Sequence, residues 1–430
     1  MSEPTSIPSR QAGGVNAAPA APPFDPDALP VEEARRKIAG LVVPVRQAEE
    51  VSLEHAQGRI LAHDLLSTVD VPAHDNAAMD GYSLAASDLA ASGDTTLEVV
   101  GQAFAGRAFS GLARAGQAVR VMTGAVMPDG HNTVVPQEFV SVHGQSVVIP
   151  AGQRAGQNLR LRGEDLRSGE SALPAGQRLG AAECGLIASL GLARVNVRRR
   201  LRVAILSTGD ELCLPGEPLP DGMIYDSNRS TLRALLEDLG VDVIDLGIVR
   251  DQPEALERAI RDASLQADAI ISSAGVSVGE ADHTRSVMQR LGTVEFWKIA
   301  MRPGRPLAFG RIGGSLYFGL PGNPVAVMVT FLFLVRDALV ALAGGLPRPV
   351  AFIRARTAAP IRKRAGRTEY QRAMLSVDDD GVQVVTVMAN QGSAVLSSMS
   401  RADCLVVLDH CSESVPAGGW VHCIPMRSLI

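Results

Sequence analysis

Aromatic residues are scarce: they make up 4% of the 430 residues, and Ala, Val and Leu dominate the 46% hydrophobic share. Without aromatics interleaved among Lys and Arg there is no platform for stacking bases, and a net charge of −5 gives no general pull on a phosphate backbone. A nucleic acid partner is therefore not expected. Cysteine is sparse too: Cys184, Cys213, Cys404, Cys411 and Cys423 are odd in number, scattered, and contain no C-x-x-C pair, which reads as reduced thiols in a reducing compartment. No His/Cys cluster has zinc-site spacing. The Walker lysine pattern, the G-x-G-x-x-G fingerprint and the G-x-S-x-G nucleophile elbow are all missing. The longest apolar run, Val325 to Val335, stops at Arg336-Asp337 and is too short to span a bilayer, and the first residues lack a basic start and an apolar h-region. A cytoplasmic chain with no membrane contact is expected.

What is present is length enough for two to four domains of roughly 100–200 residues. Residues 1 to about 27 are rich in Pro, Ala, Gly and Ser, cannot bury enough surface to offset their ordering entropy, and read as a disordered tail. Val31 to Ile38 has the charge pattern of a short helix. From Val71 to Val197 the chain reads as strand and turn, with Ala-Gly-Gln recurring at 115–117, 151–153 and 175–177 as hairpin chemistry. From Arg200 buried strands alternate with amphipathic helices, which predicts a mainly parallel sheet covered by helices. Strands are expected at Arg202 to Leu206, Val241 to Val249, Asp268 to Ser272 and Thr293 to Ala300, with helices at Ser227 to Leu239, Pro253 to Ala263 and after Asp282. Gly313-Gly314 marks a hairpin that makes the sheet mixed, Asn323-Pro324 starts an apolar helix to Leu342, and alternating strand text fills the chain after Gly345. The Arg198-Arg199-Arg200 run reads as a solvated strand entrance.

In an open α/β sheet, ligands bind beyond the carboxyl ends of the strands. The loop Ser207-Thr208-Gly209-Asp210-Glu211 offers hydroxyls, a glycine and two acids after a buried strand, although a capped turn explains it equally well. Ser272 to Asp282 combines small residues that let a backbone approach phosphate, among them Gly275, Ser277 and Gly279, with two acids. Lys298, Arg302 and Arg305 gather three cations on a backbone stiffened by Pro303 and Pro306, which suits an oxyanion. Leu320-Pro321-Gly322-Asn323-Pro324 presents a helix N-terminus whose free N–H groups favour negative charge. Glu211, Asp251 and Asp282 would repel the same anion unless a hard divalent cation bridged them to it, and magnesium is the natural candidate.

Three segments of the β-rich half are dense in polar and small residues: Asp75-Asn76-Ala77-Ala78-Met79-Asp80-Gly81-Tyr82, Arg120-Val121-Met122-Thr123-Gly124-Ala125 and Asn158-Leu159-Arg160-Leu161-Arg162-Gly163-Glu164-Asp165. Together with Ser207 to Leu212, Ser272 to Asp282, Pro303 to Pro306 and Leu320 to Pro324, in that order, they resemble the bacterial molybdopterin molybdenumtransferases, the MoeA proteins, related to the C-terminal domain of gephyrin. The resemblance runs from about Pro30 to the C-terminus.

The resemblance implies a homodimer in which the small β-rich domain of one subunit faces the α/β domain of the other across the active-site cleft, with the C-terminal β domain outside it. It places functional positions on Asp80, Thr123, Asp165, Glu211, Asp251, Asp282, Lys298 and Arg302. It implies adenylylated molybdopterin and molybdate as substrates, magnesium as cofactor, molybdenum cofactor and AMP as products, and a molybdopterin adenylyltransferase and molybdoenzymes as partners. Arg302 and Arg305 stand where the family usually has Lys, and Ala274 where it has Gly; the charge is kept, but an arginine cannot donate a proton at neutral pH. The α/β segment alone also resembles the enzymes that adenylylate molybdopterin, which lack the β-rich motifs. A scaffolding module like gephyrin's would keep the pocket without the acids.

The expected fold class is α/β plus β, multidomain. It comprises a tail (1–27), an elongated linker, helical and β domain (28–70 with 166–199), a small β-rich domain (71–165), a three-layer α/β domain (200–346), and a small C-terminal β-barrel-like domain (347–430).

Overall fold

The computed structural model describes residue 25 and residues 27–274 and 281–428. The expected tail therefore lies outside the described residues apart from Asp25 and Asp27. At the centre is a six-stranded sheet built from β1 (Arg202–Thr208), β2 (Asp242–Val249), β3 (Ala269–Ser273), β4 (Gly292–Lys298), β5 (Pro306–Ile312) and β6 (Ser315–Leu320), in spatial order β2-β1-β3-β6-β5-β4. The first four in that order run parallel, and β5 is antiparallel to both of its neighbours. Residues on β1 alternate between two cores: Val203 and Ile205 join Leu232, Leu235 and Leu236 on one face, while Ala204 and Leu206 join Leu256, Ile260 and Tyr317 on the other. Burial on both faces is why β1 and β3 read as continuous apolar runs rather than alternating ones. The β5–β6 hairpin turns at Gly313-Gly314, where Gly313 takes a φ of 57° that a side chain would resist.

The apolar stretch after Asn323 forms one helix, Pro324–Leu342, whose middle residues Phe331–Val335 form a π-turn with every side chain buried. It is longer than the apolar run suggested and long enough to cross a membrane, but it is mostly buried within the protein, as a core helix would be. Asn323 makes no side-chain cap; Pro324 opens the helix at a position where no N–H is needed.

In the N-terminal half, Ala48–Ser52 pairs with Arg194–Arg198 and Leu65–Leu66 with Ser171–Leu173. Between these lies a separate six-stranded sheet that includes Gly81–Leu84, Gln117–Val121 and Thr95–Ala103. Gly116, Gly152 and Gly176 of the Ala-Gly-Gln repeats all take positive φ, as turn glycines do. The helix Ala181–Ser189 corrects the strand-and-turn reading of this stretch; it shows no amphipathic stripe, and only Ile187 among its residues is buried. The C-terminal region closes a five-stranded barrel, because Thr368–Val377 pairs with both Gln383–Val387 and Cys404–Leu408. Ala355, Ala373, Val385, Cys404 and Cys423 are among the small side chains that fill it. The α/β plus β architecture is as expected.

Candidate active site at the sheet rim

The parallel strands end at one edge. Thr208 is level with Val249, and Ser207 with Ser273, which is in turn level with Leu320. The loops carrying Glu211, Asp251, Ala274 and Pro321-Gly322-Asn323 therefore leave the sheet side by side. Lys298 ends β4 opposite Pro306, so Arg305 stands at the same edge. Three to four strand spacings separate β1 from β5 and β4, about 14–19 Å at ~4.8 Å each. The acids that follow β1 and β2 and the basic loop beside β4 and β5 thus stand toward opposite ends of the rim. The rim suits an extended anionic ligand, or two ligands bound side by side.

Ser207 and Thr208 face inward. Ser207 is fully buried and donates its hydroxyl to Asp226 at 3.0 Å; Asp226 in turn accepts the Arg229 N–H at 3.1 Å as the cap of the helix Ser227–Asp238. The Thr208 side chain is buried as well, so both lie beneath the loop rather than exposed on it. Gly209 takes a φ of 144°, and the Glu211 carboxylate folds back over it so closely that any Cβ there would collide.

Asn228, which sequence reasoning missed, ties two rim loops together. Its amide donates to the Ser273 hydroxyl at 2.8 Å and to the Gly322 carbonyl at 2.6 Å, while its own Oδ1 is buried without a partner among the described residues. Ala274 takes a φ of 74° and lies against Gly322, a conformation that costs a non-glycine residue about 1–2 kcal/mol. Of the other predicted residues, Gly275, Ser277 and Gly279 lie outside the described residues, and Asp282 falls in the first turn of the helix Ala281–Leu291. Pro321 is buried, whereas Gly322 and Asn323 are exposed.

The basic loop carries exposed Lys298, Arg302 and Arg305 around buried Pro303 and Gly304, and a Cβ on Gly304 would strike the Thr330 hydroxyl. Asp25 of the N-terminal segment pairs with Lys298 Nζ at 3.1 Å and with Arg305 Nη2 at 2.6 Å. Arg302 lies level with Glu369 on the first barrel strand to pair with it, Thr368–Val377, so the C-terminal barrel, expected outside the cleft, abuts this loop. That strand also holds Arg372, a second residue missed from sequence. Its side chain is fully buried, donating to Ser398 Oγ at 3.0 Å, to the Gly392 carbonyl at 2.9 Å and, at 3.4 Å, to the Asn390 carbonyl. Its Nη1 has no partner among the described residues, and no carboxylate pairs with it. Burial first, and then the field of Arg302, hold this guanidinium below its usual basicity. The adjoining barrel loop also meets the rim, since the Ser393 carbonyl accepts the Val325 N–H at 3.0 Å.

The three polar segments of the β-rich half converge on one another. Gly124 N–H bonds to the Ala77 carbonyl at 2.8 Å and Ala78 N–H to the Asn158 carbonyl at 2.9 Å. Asp80 Oδ1 accepts both the Thr123 N–H and the Thr123 hydroxyl at 2.7 Å, the backbone bond foremost in holding its carboxyl below the usual range. Asp165 is exposed, with its N–H on the Val71 carbonyl at 3.1 Å. Among the described residues, no backbone hydrogen bond or strand pairing joins 71–165 to 200–346 of the same chain. Asp80 and Thr123 thus form a pair on segments of the β-rich half, Asp165 lies exposed on the same half, and the rim residues form a separate group.

No group of three or more potential metal-binding side chains occurs among the described residues. Glu211 and Asp251, however, leave adjacent strand ends, and neither carboxylate has a hydrogen-bond or ion-pair partner among the described residues. Hard oxygen donors of this kind fit a magnesium ion that completes its shell with water and substrate phosphate.

Comparison with known proteins bears on the whole chain. Residues 29–191 match the MoeA N-terminal region (domain I and II), residues 204–341 the family described as probable molybdopterin binding domain, and residues 354–426 the MoeA C-terminal region (domain IV). The molybdopterin molybdenumtransferase of Haemophilus influenzae is 40% identical over 405 residues, covering 94% of this chain and all of that one. The Nostoc protein of the same name is 38% identical, covering 84% of this chain and 85% of its own. The crystal structure of the molybdopterin biosynthesis moeA protein from Pyrococcus horikoshii superposes with a TM-score of 0.80 at 26% identity, over 93% of this chain and 100% of that one. The chain belongs to the MoeA family of molybdopterin molybdenumtransferases, enzymes of molybdenum cofactor biosynthesis.

Proposed function

We propose that the rim binds adenylylated molybdopterin, that the anhydride is hydrolysed to release AMP, and that molybdate is delivered to the dithiolene from the basic end. The observation that carries this reading is the separation of charge along one sheet edge: acids at Glu211 and Asp251 that have no partner among the described residues, cations at Lys298, Arg302 and Arg305. A ligand with a phosphoanhydride and a separate metal-accepting group needs two such stations. Glu211, Asp251 and Asp282 would hold magnesium, which when bound neutralises the anhydride's charge.

The cations act by position. Arg302 and Arg305 are fixed charges that grip an oxyanion by forked hydrogen bonds without exchanging protons. Arg372 adds a third guanidinium at the seam, already buried and with no counter-ion among the described residues. Holding molybdate there converts a bimolecular encounter into a positioned one. Asn228 keeps the Ser273 and Gly322 loops in register beneath the ligand.

The second cluster enters from another subunit. Among the described residues no backbone hydrogen bond or strand pairing links the stretch carrying Asp80, Thr123 and Asp165 to the α/β domain of the same chain, so a homodimer with the active site between subunits accommodates both. Thr123 spends both its donors on Asp80 Oδ1, which leaves the second carboxylate oxygen to orient a water. A cytoplasmic setting, with a molybdopterin adenylyltransferase supplying substrate and molybdoenzymes receiving product, completes the proposal.

Incubating the purified protein with adenylylated molybdopterin, magnesium and molybdate should yield AMP and active cofactor. Glu211→Ala and Asp282→Ala should abolish AMP release with the circular dichroism spectrum intact. Wild-type rates in either variant would remove the acids from the mechanism.

A further inference from the structure

Asp25 occupies the basic loop with some economy of means. The segment that carries it is already fastened by backbone: the Leu29 N–H bonds to the Lys298 carbonyl at 2.7 Å, and the Ala300 N–H to the Leu29 carbonyl at 2.7 Å. Ala28 is buried behind it. A turn then aims the carboxylate, with the Ala28 N–H on the Asp25 carbonyl at 3.1 Å and the Asp27 N–H on Asp25 Oδ1 at 3.1 Å. That leaves Oδ2 to take both cations, Lys298 at 3.1 Å and Arg305 at 2.6 Å. The ion pairs are not needed to hold the segment, yet they place one carboxylate oxygen between an ammonium and a guanidinium.

We propose that Asp25 is an internal competitor for the oxyanion site, a built-in carboxylate that occupies Lys298 and Arg305 until a tetrahedral dianion displaces it. This rests on the reading of the basic loop as an oxyanion grip. A carboxylate carries one negative charge and here offers one free oxygen, whereas a tetrahedral dianion offers two charges and four oxygens. The dianion therefore wins at sufficient concentration, and monovalent carboxylates from solution do not. Because the loop is competent only while Asp25 is away, the apparent affinity falls by the fraction of time it is occupied. Asp25 thus sets the working range of oxyanion concentration and discriminates against weaker anions.

The test uses the full-length protein and molybdate alone as the probe, titrated by isothermal calorimetry at low ionic strength. Asp25→Asn keeps the turn acceptor and removes the charge; it should bind molybdate about 3–10-fold more tightly than the wild type. In turnover it should lower the KM for molybdate by a like factor with kcat unchanged, a split that a merely structural anchor would not produce. In an Arg305→Ala background the effect of Asp25→Asn should shrink, since Lys298 is then the one cation of the pair left to contest. Equal or weaker binding by Asp25→Asn overturns the proposal. Undiminished molybdate affinity in a Lys298→Ala, Arg305→Ala double variant would instead show that the loop is no oxyanion grip, a separate failure that takes the proposal with it.

Discussion

Arg372→Met separates a structural from a functional arginine. The substitution removes three hydrogen bonds from a charged group: those to Ser398 Oγ and the Gly392 carbonyl, each contributing about 1.5–3 kcal/mol, and a longer, weaker one to the Asn390 carbonyl at 3.4 Å. Against this, it releases a buried cation that no carboxylate among the described residues compensates, a cost of several kcal/mol, and methionine fills much of the same volume with apolar atoms. The two nearly offset, so stability should move by no more than about 2 kcal/mol in either direction. Binding has no such compensation. A guanidinium that contacts a dianion in a desolvated seam contributes about 1.5–3 kcal/mol, so molybdate affinity should fall roughly 10- to 150-fold. Urea unfolding and a molybdate titration on the same preparation give both numbers. Destabilisation beyond about 4 kcal/mol with undiminished molybdate binding would refute the reasoning and make Arg372 a clamp for the barrel loop.

Three further outcomes are expected. Ala274→Gly relieves a left-handed alanine, and after the extra freedom of unfolded glycine is deducted it should stabilise the α/β domain by about 0.5–1 kcal/mol in urea; a loss of stability would contradict the strain. Asp268→Asn strands the partly buried Arg199, which now makes two hydrogen bonds to Asp268 at 2.6 and 2.8 Å, and should cost about 2–4 kcal/mol at pH 7. Burial pushes the Asp268 carboxyl up, but Arg199 and the Arg202 N–H outweigh it and hold it below the usual range. Its stabilisation is therefore complete above the unfolded pKa of about 4 and lost below it, so the gap between wild type and variant should close in acid; a pH-independent gap would exclude the charge as its source. Thr123→Val removes one of the two bonds that orient Asp80, and should lower kcat about tenfold with the fold intact, whereas an unchanged kcat would place Asp80 outside the reaction.

The strands that position the rim were legible because β1 and β3 are buried on both faces, which leaves the continuous runs Val203 to Leu206 and Ala269 to Ile271 in the sequence. The Gly313-Gly314 turn and Pro253 at a helix start were equally plain, each resting on a backbone constraint a single residue reveals. The helix Ala181–Ser189 was not, because its side chains form no stripe of the period that betrays a helix. At the site, local motifs found the loops but not the residues whose partners are remote in sequence. Asp25 lies in a low-complexity stretch, 273 and 280 residues from the cations it meets. Arg372 sits in strand text where an arginine ordinarily faces water; partners 18 to 26 residues further along the chain, Asn390, Gly392 and Ser398, take up its guanidinium instead. Asn228 looks like one more polar residue at a helix start until the sheet brings Ser273 and Gly322 to it.

The central claim is that the basic loop and the barrel seam together form the station for molybdate. Anomalous diffraction at the molybdenum edge, from crystals equilibrated with molybdate, tests it most directly. A peak in contact with Arg302, Arg305 and Arg372, with the Asp25 carboxylate displaced, is the predicted result. A molybdenum peak elsewhere, with those three guanidiniums and Asp25 left as they are, would contradict it.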